Sequence, residues 1–337
     1  MKKDILNEPL YCERSYIKSL VAGIRLPLRH PLGFLRHLWP LMVLTVAVWA
    51  LAAGWMAPQL WDFHTLATQP GMAPSSLIGL PLLRVMAWGL LVAVLCSLQA
   101  GQLHFLMLRY GTLTYLPAVH PWHVWRSILP CVLRSTACGV GGYVVWCLLA
   151  LLSLLVMPTR LWALVGFLVL SLVWMVLFTT FCQHYLLSGS TLGGSLKAAF
   201  RSHEEMTQAG HIVHYPSRLG GTATLLAVCG LVCLTVILAG QLPAVCALYV
   251  GGISDHTLAL GDVSDLPGYF PWLRAFSFGL GALVTFLTVP FLVVPLTFHW
   301  GAGGYGREGA AAEGGKETTG RRPAVQNRRY TMLDEHG

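Results

Sequence analysis

Charge is the scarcest property of this 337-residue chain. Asp, Glu, Lys and Arg together make up 11% of it, where soluble domains carry roughly 25%. With 55% apolar residues and a mean hydropathy of +0.63, that scarcity excludes an ordinary water-soluble fold. Alternation of apolar and polar residues in segments of about ten, the mark of a membrane barrel, is also missing. The apolar runs are continuous, so the expectation is an all-α membrane protein.

Other absences narrow the function. No ionisable residue falls near the middle of any apolar run, which weighs against a proton- or sodium-coupled pump, since such proteins keep carboxylates in the membrane. The nine cysteines, Cys12 apart, lie with the apolar runs and not in the outer loops. They read as small apolar filler and not as a disulfide framework. A glycine-rich phosphate loop with Lys, a Gly-x-Ser-x-Gly elbow and a His-Glu-x-x-His metal motif are all lacking, and the outer loops are too short for a soluble catalytic domain. No basic domain interleaved with aromatics is present, so nucleic acid is not an expected partner, and no cofactor is implied. The first apolar run begins near residue 39, too late for a cleavable signal.

What is present is six apolar runs, at 39–60, 82–107, 132–157, 161–187, 222–249 and 273–298. About 20 such residues cross the roughly 30 Å of hydrocarbon. The expected organisation is an N-terminal segment 1–38, a six-helix membrane domain 39–300 and a tail 301–337. The tail is glycine-rich among Glu, Lys and Arg, cannot bury a core and is expected to be disordered. Its Arg321-Arg322 and Arg328-Arg329 pairs read as topology charges, with docking of a protein partner as the alternative.

Of the 22 Lys and Arg residues, all but Arg84, Arg160 and Arg274 flank the runs on one side. Cytoplasmic flanks are enriched in these residues, so both termini are expected in the cytoplasm of a bacterial-type inner membrane. The three exceptions sit at outer helix ends, where long side chains snorkel. Within residues 13–28, Ile17, Leu20, Val21, Ile24 and Leu28 recur at helical spacing with Arg14, Lys18 and Arg25 on one flank. This predicts an amphipathic helix on the inner membrane surface, limited by Pro27 and Pro31; packing on the bundle is the alternative. Arg14, Lys18, Arg25, Arg29, Arg36 and Arg126 are the expected contacts with membrane lipids, anionic ones included.

The stretch Leu26-Pro27-Leu28-Arg29-His30-Pro31 through Arg36 to Trp39-Pro40 recurs as Leu116-Pro117-Ala118-Val119-His120-Pro121 through Arg126 to Leu129-Pro130. The copies share the Leu-Pro opening, the His-Pro pair, the Arg and the closing Pro. Each is expected to break a surface helix from a membrane helix, with entry at Trp39-Pro40 and after Pro130. A second repeat joins it: the returning helices end at His104-Phe105, His184-Tyr185 and His299-Trp300. Together the repeats predict three copies of a two-helix hairpin, with a short helix from Ser195, as its N-cap, to Arg201 between the second and third.

His104, His184 and His299, with Gln102 and Gln183, are the candidate ligand-binding residues. If the hairpins close around an axis, the imidazoles form a cytoplasmic anion site that strengthens as pH falls through an unperturbed value of about 6.5. The plainer expectation is that the aromatic neighbours anchor helix ends at the interface. Other clusters read as structural. Cys229 and Cys233 share a helix face without a His or carboxylate and read as packing. Glu204 and Glu205 with His203, His211 and His214 match no zinc spacing and read as a solvated loop. Asp255, Asp262 and Asp265 lack the spacing of a calcium loop. Gly240-Gln241-Leu242-Pro243 and Pro290 with Pro295 are expected to interrupt the fifth and sixth spans, as in discontinuous transporter helices.

Three functions stay open. The first is a non-enzymatic scaffold, accessory or lipid-responsive component; the second a carrier for a lipophilic or anionic solute; the third an intramembrane enzyme acting on lipid headgroups. A membrane-depth cavity lined by Gln99, Gln102, Gln183 and Gln241 favours transport, and a tightly packed bundle favours the first.

Overall fold

The computed structural model describes residues 16–29, 31–71, 73–112, 121–188, 193, 195–196, 203–206, 212–215, 218–259 and 266–313. In chain order these form α1 (Tyr16–Arg29), α2 (Pro31–Thr68), a 3-10 turn (Pro74–Leu77), α3 (Leu80–Thr112), α4 (Pro121–Val156) and α5 (Arg160–Ser188). There follow the strands β1 (His203–Met206) and β2 (Ile212–Tyr215), then α6 (Arg218–Ala259), α7 (Phe270–Thr288) and α8 (Pro290–Glu313). Six segments are long and apolar enough to cross a membrane: Pro31–Thr68, Leu80–Met107, Ile128–Val156, Arg160–Gln183, Gly220–Ser254 and Phe270–Gly301. Each coincides with one of the six apolar runs. The 38 residues of α2, at a rise of 1.5 Å each, extend about 57 Å, so a helix of this length also carries its polar flanks well clear of the hydrocarbon.

Proline explains several boundaries. Pro31 opens α2 and Pro121 opens α4, at the first helical position, where a missing backbone N–H leaves nothing unsatisfied. The two His-Pro copies therefore do start the helices of spans one and three. Their closing prolines do not interrupt the helices: Pro40 and Pro130 lie inside α2 and α4. Pro27 likewise does not end α1, which runs on to Arg29, because a proline in the last turn forfeits a single ladder bond.

Four further expectations are corrected. The fifth span is not interrupted at Gly240–Pro243, since α6 is continuous with Pro243 inside it. The sixth span bends only at Pro290: Val289 keeps helical angles (φ −54°, ψ −39°) between α7 and α8, and α8 passes through Pro295 unbroken. Chain order does not stop at Gly301, because α8 continues to Glu313; residues 314–337 of the tail lie outside the described residues. Ser195 is not an N-cap. It is itself helical with helical Gly193 ahead of it, and it is buried, while 197–201 lie outside the described residues. In the same loop β1 pairs antiparallel with β2 and sets Glu204 opposite His214.

The helices do not pack as three self-contained hairpins. The closest neighbours are α3 with α4, α2 with α7, α6 with α7 and α1 with α8, so the partner of α2 is drawn chiefly from the other end of the chain. On α3 the face toward α4 is a stripe of small residues, Gly89, Ala93, Ser97 and Gly101. A Cβ on Gly101 would stand 2.8 Å from the Ser135 Cβ, and one on Gly139 of α4 would collide with Ser97. Small residues let membrane helices approach until backbone and side chain bond directly. Here the Ser135 hydroxyl donates to the Ser97 carbonyl at 2.9 Å and the Tyr143 hydroxyl to the Met86 carbonyl at 2.7 Å. At the end of the bundle away from α1, Arg160 donates to the carbonyls of Ala67 and Gln69 at 2.6 and 2.7 Å. Its charge does not simply snorkel; it closes the last turn of α2, where carbonyls lack helical donors and a cation is favoured.

The centre of the bundle is the sixth span, whose most apolar window is 56% buried, against 6–33% for the other five. Its residues Phe286, Val294 and Phe298 join Ala22 of α1, Phe34, Leu38 and Leu41 of α2, and Leu103, Leu106 and Met107 of α3 in one core.

Candidate functional site

The kink that opens at Pro290 makes this central span chemically special. Pro290 has no N–H, so the carbonyl four residues before it, on Phe286, loses its helical donor. Gln99 of α3, buried at the same level, donates its Nε2 to that carbonyl at 2.5 Å. One neighbouring bond is redirected: the Leu292 N–H turns to the Val289 carbonyl three residues back, at 3.0 Å, which the Val293 N–H also meets in the ordinary way at 3.0 Å. Thr288, one residue earlier, offers its carbonyl to the Cys233 thiol of α6, with sulfur at 3.9 Å. Further along α8, the Gln183 amide of α5 donates to the Leu296 carbonyl at 3.1 Å. Three helices therefore each contribute a side-chain donor to the backbone of the sixth span. In hydrocarbon an unmet carbonyl costs several kcal/mol, which is why freed groups at a membrane proline are met by neighbouring helices.

On the α7 side of the kink, Gln241 of α6 bonds the Thr285 hydroxyl at 3.2 Å. It does so beside Gly281, where a Cβ would meet the Gln241 amide, while Gly240 lies against Val284. The Gly-Gln-Leu-Pro segment thus serves as a close contact between α6 and α7. Cys229 and Cys233 are buried on α6 as the packing reading expects, and Cys233 has the added part of thiol donor.

Around the candidate histidines the geometry divides. Residues 101–107 of α3 are buried on every side. Gln99, Leu103 and Leu106 lie on the stripe toward α2 and the sixth span. His104 falls three residues after Gly101 and seven after Ser97, on the stripe that meets α4. It is 8% exposed, and its Nδ1 has no partner among the described residues. His299 is half-buried on α8, four residues after Pro295, on the flank that α1 covers. His104 thus lies on the flank of α3 toward α4, and His299 on the flank of α8 toward α1. The side chain of His184 lies outside the described residues. Gln102 is buried with Oε1 unpartnered, and Gln183 is spent on the Leu296 carbonyl.

The aromatic neighbours are not anchors either. Phe105 and Trp300 are buried in the core, and Tyr185 stacks on Phe181 with centroids 5.9 Å apart. The exposed rings that suit a membrane interface stand elsewhere, on Trp39 near the start of α2, Trp162 near the start of α5, and Tyr269 and Trp272 at the start of α7.

α1 has three faces. Ser19, Ala22, Gly23 and Pro27 are buried, and Gly23 sits so close to α8 that a Cβ there would stand 2.5 Å from Pro295. Ile17, Val21, Ile24 and Leu28 form a separate apolar face that stays exposed. Lys18, Arg25 and Arg29 form a third, exposed and basic, and Arg36 is exposed on α2. The packing of α1 on the bundle is thus seen directly, while its apolar and basic faces stay exposed. Arg14 and the Arg126 side chain lie outside the described residues.

Among the described residues no group of three or more His, Cys, Asp and Glu could hold a metal ion. Comparison with protein-family models, curated proteins and solved structures finds no match for this chain.

Proposed function

We propose that this protein is a non-enzymatic, lipid-responsive component of a bacterial-type inner membrane, with both ends of its six-span domain on the cytoplasmic side. The observation that carries this reading is how the membrane-depth polar groups are used. Gln99, Gln183 and Gln241 are engaged with the sixth span, and do not converge on an open passage. The exposed apolar and basic faces of α1 support contact with an anionic membrane surface, where each Lys or Arg contributes about 1 kcal/mol. The placement of Lys and Arg along the sequence supports the orientation. The separate facings of His104 and His299 argue against an active site built from the histidines.

The carrier reading has one observation in its favour, the kink in the central span. Reconstitution decides between them. Proteoliposomes loaded with carboxyfluorescein should leak no faster than protein-free vesicles, while the thermal midpoint of the protein should rise with the fraction of phosphatidylglycerol. Saturable, protein-dependent efflux replaces this reading with a carrier, and a midpoint indifferent to lipid charge removes the lipid-responsive part.

A further inference from the structure

Beside the kink, α1, α6 and the sixth span leave an apolar groove of about 470 Å³, within the roughly 300–1,000 Å³ of small-ligand sites. Leu20 and Ile24 of α1 form one wall, Val232 and Cys233 of α6 the second, and Leu287 and Thr288 of the sixth span the third. Apart from the weakly polar Cys229 thiol, the polar side chains of the lining are already engaged. The Thr288 hydroxyl donates to the Val284 carbonyl at 2.7 Å, and the Cys233 thiol faces the Thr288 carbonyl. An occupant therefore meets almost only apolar surface and needs no hydrogen bonds of its own. Ile24, Val232 and Leu287 are all exposed at the rim, so the groove opens sideways, toward where the bilayer lies on the six-span reading.

We propose that this groove holds one acyl chain of an anionic glycerophospholipid, whose phosphate lies against the basic face of α1. This deepens the lipid-responsive reading and rests on it. The argument for the anionic headgroup is charge complementarity: Arg25 follows Ile24 directly, and Arg29 stands one turn further along the same exposed stripe. The argument for a chain in the groove is its lining, which is apolar on all three walls and offers an acyl chain continuous dispersion contact. The lipid would bridge α1 to the segment where the Phe286 and Thr288 carbonyls leave the helical ladder, so that its binding fastens the first helix to the bend of the central one.

The test uses the full-length protein in detergent, offered dioleoyl-phosphatidylglycerol or dioleoyl-phosphatidylcholine, with retained lipid counted by native mass spectrometry and the thermal midpoint followed in parallel. Wild type should retain one phosphatidylglycerol in preference to phosphatidylcholine. Arg25→Gln should keep a lipid but lower that preference by about fivefold, the share of one basic residue. Val232→Trp, which fills the groove from its exposed wall, should lose the retained lipid of both kinds; Ile24→Trp fills it from the opposite wall and guards against a folding defect in the first variant. Retention and preference unchanged in both tryptophan variants overturn the groove, and unchanged preference in Arg25→Gln overturns the headgroup contact. If those variants behave as wild type while the wild-type midpoint still rises with phosphatidylglycerol, the groove alone fails. A wild-type midpoint that ignores lipid charge takes the broader reading with it.

Discussion

Gln99 and Pro290 form a pair whose members compensate for each other. The proline removes the donor that the Phe286 carbonyl would otherwise have, and the glutamine supplies one from another helix. Replacing Gln99 by Leu leaves that buried acceptor unmet, at a cost of about 1–3 kcal/mol. Membrane hydrogen bonds measured by double-mutant cycles average about 0.6 kcal/mol, so the lower end of the range is expected. Pro290→Ala restores the backbone donor. In that background the penalty of Gln99→Leu should shrink, so the pair should show coupling in a thermal or denaturant cycle. Strict additivity would mean that the amide does not compensate the proline. Nothing in the sequence near Gln99 points to this role. A buried glutamine in a span looks the same whether it lines a passage or meets a carbonyl 187 positions away, because the spacing that matters is set by tertiary packing.

Whole helices show a similar division between what the sequence announces and what it conceals. The His-Pro pairs announce helix starts because proline at the first turn acts locally, through its own ring and its missing N–H. The apolar face of α1 was equally legible from helical periodicity, yet the face that packs on α8 is Ser19, Ala22, Gly23 and Pro27, which hydrophobicity does not mark. The stripe Gly89, Ala93, Ser97, Gly101 carries a signal of its own, small residues at every fourth position, and it predicts the close approach of α3 and α4. For the His-aromatic pairs, a residue's place at a helix end does not fix which neighbour its face meets. Gly23→Leu should push α1 off Pro295 while leaving the six spans folded. Limited proteolysis should then cut within α1 faster than in wild type, with little change in the unfolding midpoint of the bundle. Equal cleavage rates would show that α1 accommodates the larger side chain. Gly101→Leu, wedged against Ser135 and Val132, should by contrast lower the midpoint of the whole bundle.

At the scale of the molecule, six crossings would return the chain to the side from which it set out, which on the proposed orientation is the cytoplasm. Reporter fusions after Gly71 and after Ser202 should therefore score on opposite sides of the membrane; the same side for both would undo the six-span path. The six long apolar helices were legible because continuous apolar length is a direct physical requirement of crossing. Which span occupies the middle was not, since all six are similarly apolar and differ only in how much of each the others cover. That arrangement bears on how the protein is made. Translation releases the spans in order, and the one destined for the centre comes after the other five. The earlier helices must then wait beside one another in the bilayer with the Gln99 and Gln183 amides and the face of α1 still unmatched, until the sixth arrives to fill the gap. Biogenesis is thereby a closing step and not a gradual accretion. A nascent chain arrested before Phe270 should be the species most readily captured by quality-control proteases and insertion factors.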